Sequence, residues 1–426
     1  MLENDTVALE NLLKLVTGTA LKRRKWQDIC HDLLRYRDEA TVLRLASELL
    51  QRYDDFEISE RQAFLNYLLR EFRVDQPELN AAIEAYREDP SPLNVQAINR
   101  ASLPSRRNLF EILNMCPGGT ERLLAMRVDL SRLTKDEPEL RAVDSDLELL
   151  FRNWFNRGFL TLQRIDWQTP AFVLEKLIAY EAVHEIKGWD DLRRRVSSGR
   201  RCYAFFHPAL PNEPIIFVQV ALEKGLVASV NDILEKQTPE QSDEPSADTA
   251  VFYSISNCQR GLVGIAFGDL LIKQVAEQIS SECPQIKTFA TLSPVPGLTR
   301  WLQDPKTDLD ANQRSLIEQL LTAPGNVDQV TNEDANTIVQ LCAEYLVNQK
   351  RGVAPLDPVA RFHLRNGARL ERINWGGDSS AKGLKESLGI LVNYVYDLSA
   401  VTKNHETYVY DSGVVTSSSI KQLAKR

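Results

Sequence analysis

The chain is 426 residues long, too long for one ordinary hydrophobic core and long enough for two or three domains. Its 43% hydrophobic and 26% charged residues give the balance of a folded soluble protein and exclude a disordered one. A net charge of -8 and a pI near 5.4 exclude a general nucleic-acid binder, which needs a basic surface to displace counterions.

Residues Met1–Asp5 lack the basic-then-apolar pattern of a secretory signal, and Lys22–Lys25 reads as a solvated segment beside a helix. Residues 1–160 read as helices. Apolar stripes run through Trp26–Tyr53 and Arg61–Phe72, and Leu140, Val143, Leu147, Leu150, Phe151 and Trp154 recur at helical spacing. Asp89-Pro90-Ser91-Pro92 and Pro117-Gly118-Gly119 punctuate the pattern, with Thr120 expected to cap a helix starting at Glu121. Short connections between amphipathic helices imply a bundle serving packing and assembly.

From residue 161 onward the pattern is mixed. Thr169-Pro170 predicts the start of a helix running to Ile186. Cys202–Phe206 and Ile215–Leu222 read as a hairpin with loop His207–Pro214, and Thr238–Asp248 as an exposed acidic loop. Val251–Ser256 is an expected strand, followed by a glycine-rich turn, Gly261–Gly268, and a helix with Phe267, Leu270, Leu271, Val275 and Ile279 on one face. Ile286–Leu292, Arg369–Trp375 and Ile390–Tyr396 are expected strands, with helices around Gln313–Leu321 and Asn336–Val347. The fold class is α+β: a helical bundle over 1–160, then a mixed, mostly antiparallel domain over 161–426.

The six cysteines show no metal-ligand spacing, so no metal is expected, and their scatter suits buried free thiols in a reducing, cytoplasmic setting. No apolar run approaches the ~20 residues that span a bilayer. The strand, glycine turn and helix of Val251–Ile279 suit an anion, because glycines admit close backbone approach and a helix N-terminus offers free N–H groups. The turn lacks the Gly-Lys-Ser/Thr of a nucleotide-binding loop. On the residues alone, Ser293 before Pro294 reads as a turn-former and His363 as one of five ordinary histidines.

With the strand that follows, this order is similar to the core of GNAT-like acyltransferases, where coenzyme A lies between two splayed strands with its pyrophosphate at the helix N-terminus. Ordered segments carry a sharper resemblance: Tyr180–His184, Arg201–Pro208, Tyr253–Ser256 into Gly261–Gly268, Leu292–Gly297, Phe362–Ala368, and Arg372–Trp375 through Asn393–Tyr396. Together they resemble malonyl-CoA decarboxylases over residues 160–400, and more loosely around Gly118–Leu130. That resemblance implies a GNAT-like catalytic domain, a helical domain that mediates homo-oligomerisation into a dimer or tetramer, malonyl-CoA as substrate, and no cofactor. It places the family's catalytic Ser and His on Ser293 and His363 and an active-site Tyr on Tyr396. It places the acyl-CoA loop on Val263, Gly264, Ile265, Ala266, Phe267, Gly268 and Asp269. Two rival readings share the loop: a GNAT-type acyltransferase, which also shares the fold, and a non-catalytic acyl-CoA sensor, to which Ala266 lends weight because members often carry Glu there.

Overall fold

The computed structural model describes residues 24–235, 246–265, 268–322 and 330–425. The chain divides into two units, Met1–Phe155 with Arg260–Ile265, and Asn156–Gln259 with Ala266–Arg426.

The first unit is helical over Trp26–Arg35, Glu39–Asp55, Ile58–Glu71, Gln76–Glu88, Pro92–Ala101, Arg106–Met115, Gly119–Leu133 and Arg141–Trp154. Polar side chains fix several starts: Asp38 accepts from Thr41 N–H, Asp75 from Glu78 N–H and Ser91 from Asn94 N–H, each worth about 1 kcal/mol. Leu45, Leu49, Phe64, Leu68, Phe110, Leu147 and Phe151 close the core, at roughly 1.5–3 kcal/mol for each side chain buried. The helix expected to begin at Glu121 begins at Gly119 instead. Thr120 does not cap it; its hydroxyl donates to Asn114 Oδ1. Lys22 and Arg23 lie outside the described residues, while Arg24 and Lys25 are exposed, with Arg24 3.0 Å from Asp32. The pair Gln76–Glu88 and Pro92–Ala101 is unusual, since the first buries no residue and Leu93 on the second is 74% exposed.

The segment Arg260–Ile265 packs within this unit. Arg127 donates to the carbonyls of Gly261 at 2.8 Å and Val263 at 3.0 Å, and its charge is balanced by Asp144. A Cβ on Gly261 would lie 2.5 Å from the Leu124 carbonyl oxygen, so only glycine fits there.

The second unit is built on a sheet with strands β1 (Thr161–Ile165), β2 (Arg200–His207), β3 (Leu210–Glu223), β4 (Thr249–Asn257), β5 (Thr288–Thr291), β6 (Ser293–Pro294), β9 (Arg369–Asn374) and β10 (Leu391–Tyr396). The order is β1-β2-β3-β4-β5-β10-β6, with β9 also on β10. Among the described strands every pairing is antiparallel except β4 with β5, and the short strands β7 (Lys350–Arg351) and β8 (Ala354–Pro355) form a separate ribbon. One face of the sheet carries Val218, Val220, Phe252 and Phe289 against Leu271, Val275 and Ile279 of helix Gly268–Glu282 and Leu341 and Tyr345 of helix Asn332–Val347. Phe267 and the side chain of Leu270 lie outside the described residues.

Three expectations change. The helix after Pro170 spans Ala171–Tyr180 and stops short of Ile186, because the Glu181 carboxylate accepts the N–H groups of Val183 and His184 and so turns the chain locally. The hairpin loop is shorter than His207–Pro214, since register shifts at Phe206 and His207 let the strands continue past the prolines. Residues 238–245 of the expected acidic loop lie outside the described residues, but Ala247 near its end is buried in the core and the Asp248 carbonyl accepts from Lys287 and Thr288.

Candidate active site

Helix Pro358–Arg365 starts cleanly: Pro358 occupies its first turn and Asp357 caps it, accepting the Ala360 N–H at 2.8 Å. It stops at Gly367, whose φ of +81 and 2.2 Å approach to the Val401 carbonyl oxygen leave no room for a Cβ. Ala360, His363 and Leu364 share its buried side, so His363 faces the sheet. Opposite it stands β10, which joins β5 through Val395↔Ala290 and β6 through Val392↔Ser293. Asn393 braces the junction by donating to the carbonyls of Thr291 at 2.9 Å and Val227 at 3.1 Å, while accepting from Asn374.

Four side chains form one hydrogen-bonded row. Tyr396 Oη lies 2.8 Å from His363 Nδ1, His363 Nε2 lies 3.0 Å from Ser293 Oγ, and Ser293 Oγ donates to Thr291 Oγ1 at 2.9 Å. The Tyr394 ring stacks on the imidazole with centroids 4.6 Å apart, and the Tyr394 N–H reaches Thr291 Oγ1 at 3.3 Å. All five residues are buried. Burial pushes the His363 pKa down to about 3, so the ring is neutral at physiological pH rather than poised near neutrality, as an unperturbed histidine would be. Burial also raises Asp357 to about 6, against the opposing pull of backbone N–H groups.

Beside Ser293 the sheet opens. Parallel pairing of β4 with β5 runs from Thr249↔Thr288 to Phe252↔Thr291 and ends. A register shift against β3 leaves Tyr253 as an extra residue on β4, and such a bulge bends and twists a strand. Past it, β4 keeps β3 on one edge, while its other edge has no strand partner among the described residues. The chain beyond Thr291 has turned to β10.

Ser293, His363 and Tyr396, 103 residues apart at the extremes (396 − 293), are therefore one constellation. Tyr396, the expected active-site tyrosine, places its hydroxyl 2.8 Å from His363 Nδ1. Of the expected loop, Val263 is exposed, Gly264 has φ +87, Ile265 is buried and Gly268 opens helix Gly268–Glu282. Ala266, Phe267 and the side chain of Asp269 lie outside the described residues. Sequence reasoning missed Thr291 and Tyr394. Alternation along an extended segment held the clue to the first, because Thr291 and Ser293, two apart, point to the same face. Among the described residues, no group of three His, Cys, Asp or Glu side chains is arranged to hold a metal ion, and no helix is long and apolar enough to cross a membrane.

The family model for the malonyl-CoA decarboxylase C-terminal domain matches residues 158–426, and that for the malonyl-CoA decarboxylase N-terminal domain matches residues 72–155. The chain is 35% identical over 407 residues to the mitochondrial malonyl-CoA decarboxylase of Anser anser anser, covering 86% of this chain and 80% of that one. Among solved structures it is similar to the malonyl-CoA decarboxylase of Agrobacterium vitis, with TM-score 0.88, 44% identity, and 94% and 100% of the two chains covered. That of Rhodopseudomonas palustris gives TM-score 0.85, 44% identity, and 93% and 98% coverage.

Proposed function

The chain belongs to the malonyl-CoA decarboxylase family, and from that premise we propose that Ser293, His363 and Tyr396 are the groups with which it converts malonyl-CoA to acetyl-CoA and CO2. Decarboxylation of malonyl-CoA is its activity. The observation that supports these residues is the 3.0 Å contact between Ser293 and His363 at the mouth of the opening between β4 and β5.

Loss of CO2 leaves two electrons on the thioester as an enolate, and a proton must then reach the α-carbon. The thioester carbonyl is itself the electron sink, so the reaction needs no cofactor in principle. An N–H donor on the enolate oxygen is worth about 2.7–4 kcal/mol, and the unpartnered edge of β4 offers such donors. A positioned acid adds ~10²–10⁴-fold, or roughly 3–5 kcal/mol. Ser293 is that acid, oriented by His363, which Tyr396 and the Tyr394 stack hold in turn. Neutral His363 also suits the chemistry: a cation beside the leaving carboxylate would stabilise the ground state, whereas the charge must migrate to the thioester.

The free edge of β4 is the proposed seat of the coenzyme A arm. That amide-bearing pantetheine arm is an extended chain, the kind of ligand a free strand edge binds through backbone groups. The loop Val263–Asp269 is the proposed seat of the coenzyme A phosphates, supported by the N-terminus of the 15-residue helix Gly268–Glu282.

Residues 1–160 form the assembly domain of a homo-oligomer and 161–426 the catalytic domain. The helix pair Gln76–Glu88 and Pro92–Ala101, with exposed Leu93 and Val95, supports that division of labour. A reducing cytoplasmic location is supported by six free, buried cysteines, although the Anser relative is named mitochondrial.

Incubating the purified protein with malonyl-CoA and resolving the products is the test. CO2 and acetyl-CoA should form with no second substrate. An acyltransferase would release CoA only with an amine acceptor, and a sensor would bind without turnover. Ser293→Ala should cut turnover by ~10²–10⁴ while coenzyme A binding is nearly kept; full activity in that variant removes Ser293 from the mechanism.

A further inference from the structure

We propose that Thr291 is a positioning residue that holds the Ser293 proton in the resting site and so sets Tyr396, His363 and Ser293 as a relay that delivers a proton to the substrate. One hydrogen bond sets the direction of the row. Ser293 Oγ donates to Thr291 Oγ1 at 2.9 Å, so its single hydrogen is unavailable to His363. The 3.0 Å contact between Ser293 Oγ and His363 Nε2 then requires the hydrogen on Nε2. Nδ1 of a neutral ring is left as an acceptor and takes the Tyr396 hydroxyl at 2.8 Å. Thr291 is kept in this role by the Tyr394 N–H, a backbone donor that cannot rotate away.

The hydrogens on Tyr396, His363 and Ser293 thus all point along the row toward Thr291. The inference rests on the reading of Ser293 as the acid. When the enolate forms, the Ser293 O–H turns from Thr291 to the α-carbon. The O–H bond breaks and a C–H bond forms there, the Nε2 hydrogen passes to Ser293 Oγ, and the Tyr396 hydrogen passes to Nδ1. Once acetyl-CoA has left, the Ser293 hydrogen returns to Nε2, the Nδ1 hydrogen returns to the tyrosinate, and Ser293 Oγ takes one proton from solvent, which restores the resting tautomer and balances the reaction: malonyl-CoA and a proton give acetyl-CoA and CO2. His363 changes tautomer and never becomes a cation, in keeping with a ring that burial makes a weak base.

The test is ¹⁵N NMR of the full-length protein labelled at its five histidines, assigned by loss of the His363 signals in His363→Asn. The wild type should show the Nε2–H tautomer. In Thr291→Val, which keeps the shape and lacks the hydroxyl, Ser293 should turn to Nε2 and the ring should become Nδ1–H. Decarboxylation kcat should fall about tenfold or more with KM little changed, and Thr291→Ser should restore both readouts. A wild-type spectrum with Nδ1–H overturns the proposal without any variant, as does a tautomer switch at unchanged kcat. Full activity in Ser293→Ala would instead remove the acid on which the relay rests, leaving the tautomer assignment to be read by itself.

Discussion

Acidification separates a buried neutral His363 from an ordinary histidine. At pH 5.5 a histidine titrating near ~6.5 is about 90% protonated, and an enzyme needing its neutral form loses about tenfold in kcat. With its pKa depressed to about 3, His363 stays neutral there and kcat should be nearly flat from pH 7.5 to 5.5. Stability should respond instead. The folded-state value lies below the unfolded one, so the His363 contribution is complete above pH ~6.5 and is lost as pH falls toward 3, by on the order of 3 kcal/mol between pH 7.5 and 4.5. Asp357 runs the other way: raised to about 6, it stabilises below pH ~4 and loses that contribution as pH rises through 6. The two partly cancel in the wild type, so the measurement is urea unfolding of wild type minus His363→Asn across pH. The difference should narrow on acidification. A pH-independent difference, or a tenfold fall in kcat at pH 5.5 that persists in Asp357→Asn, would refute the account of a neutral ring.

Three shorter tests address the scaffold. Gly367→Ala adds a Cβ 2.2 Å from the Val401 carbonyl oxygen at a φ of +81, and should lower the unfolding free energy by at least about 2 kcal/mol, read from the urea midpoint at constant slope. The six cysteines are free and buried, with Cys30 pushed up to about 12, so a thiol reagent should label none rapidly in the native protein and all six after unfolding. Leu93→Asp should lower the mass measured by light scattering without lowering the melting temperature of the catalytic unit. An unchanged mass would take the helix pair out of the interface.

Most elements were legible because their periods are strong. Helix Arg141–Trp154 buries Val143, Leu147, Leu150 and Phe151, the residues its spacing selects, and β10 falls one residue inside its expected span. Boundaries failed where a side chain outcompeted the local pattern, as when Glu181 turned the chain or Asn114 took the Thr120 hydroxyl. The site was legible only through resemblance. Nothing local to Ser293 or His363 reports the other, since strand pairing and a helix face bring them together across 70 residues of sequence (363 − 293). The depressed His363 pKa was invisible for the same reason, as burial belongs to the packed molecule and not to the residue.

The place of β10 in the sheet has a consequence for biosynthesis. This strand enters between β9 on one side and β5 and β6 on the other, and it carries Tyr394 and Tyr396. During translation β5 therefore emerges with an edge of unpaired backbone groups that stays open while some hundred further residues are made, from Thr291 to Leu391. Until then the nascent chain is inert toward its substrate and exposed to edge-to-edge association, so the window between the two strands is where this chain is most prone to aggregate.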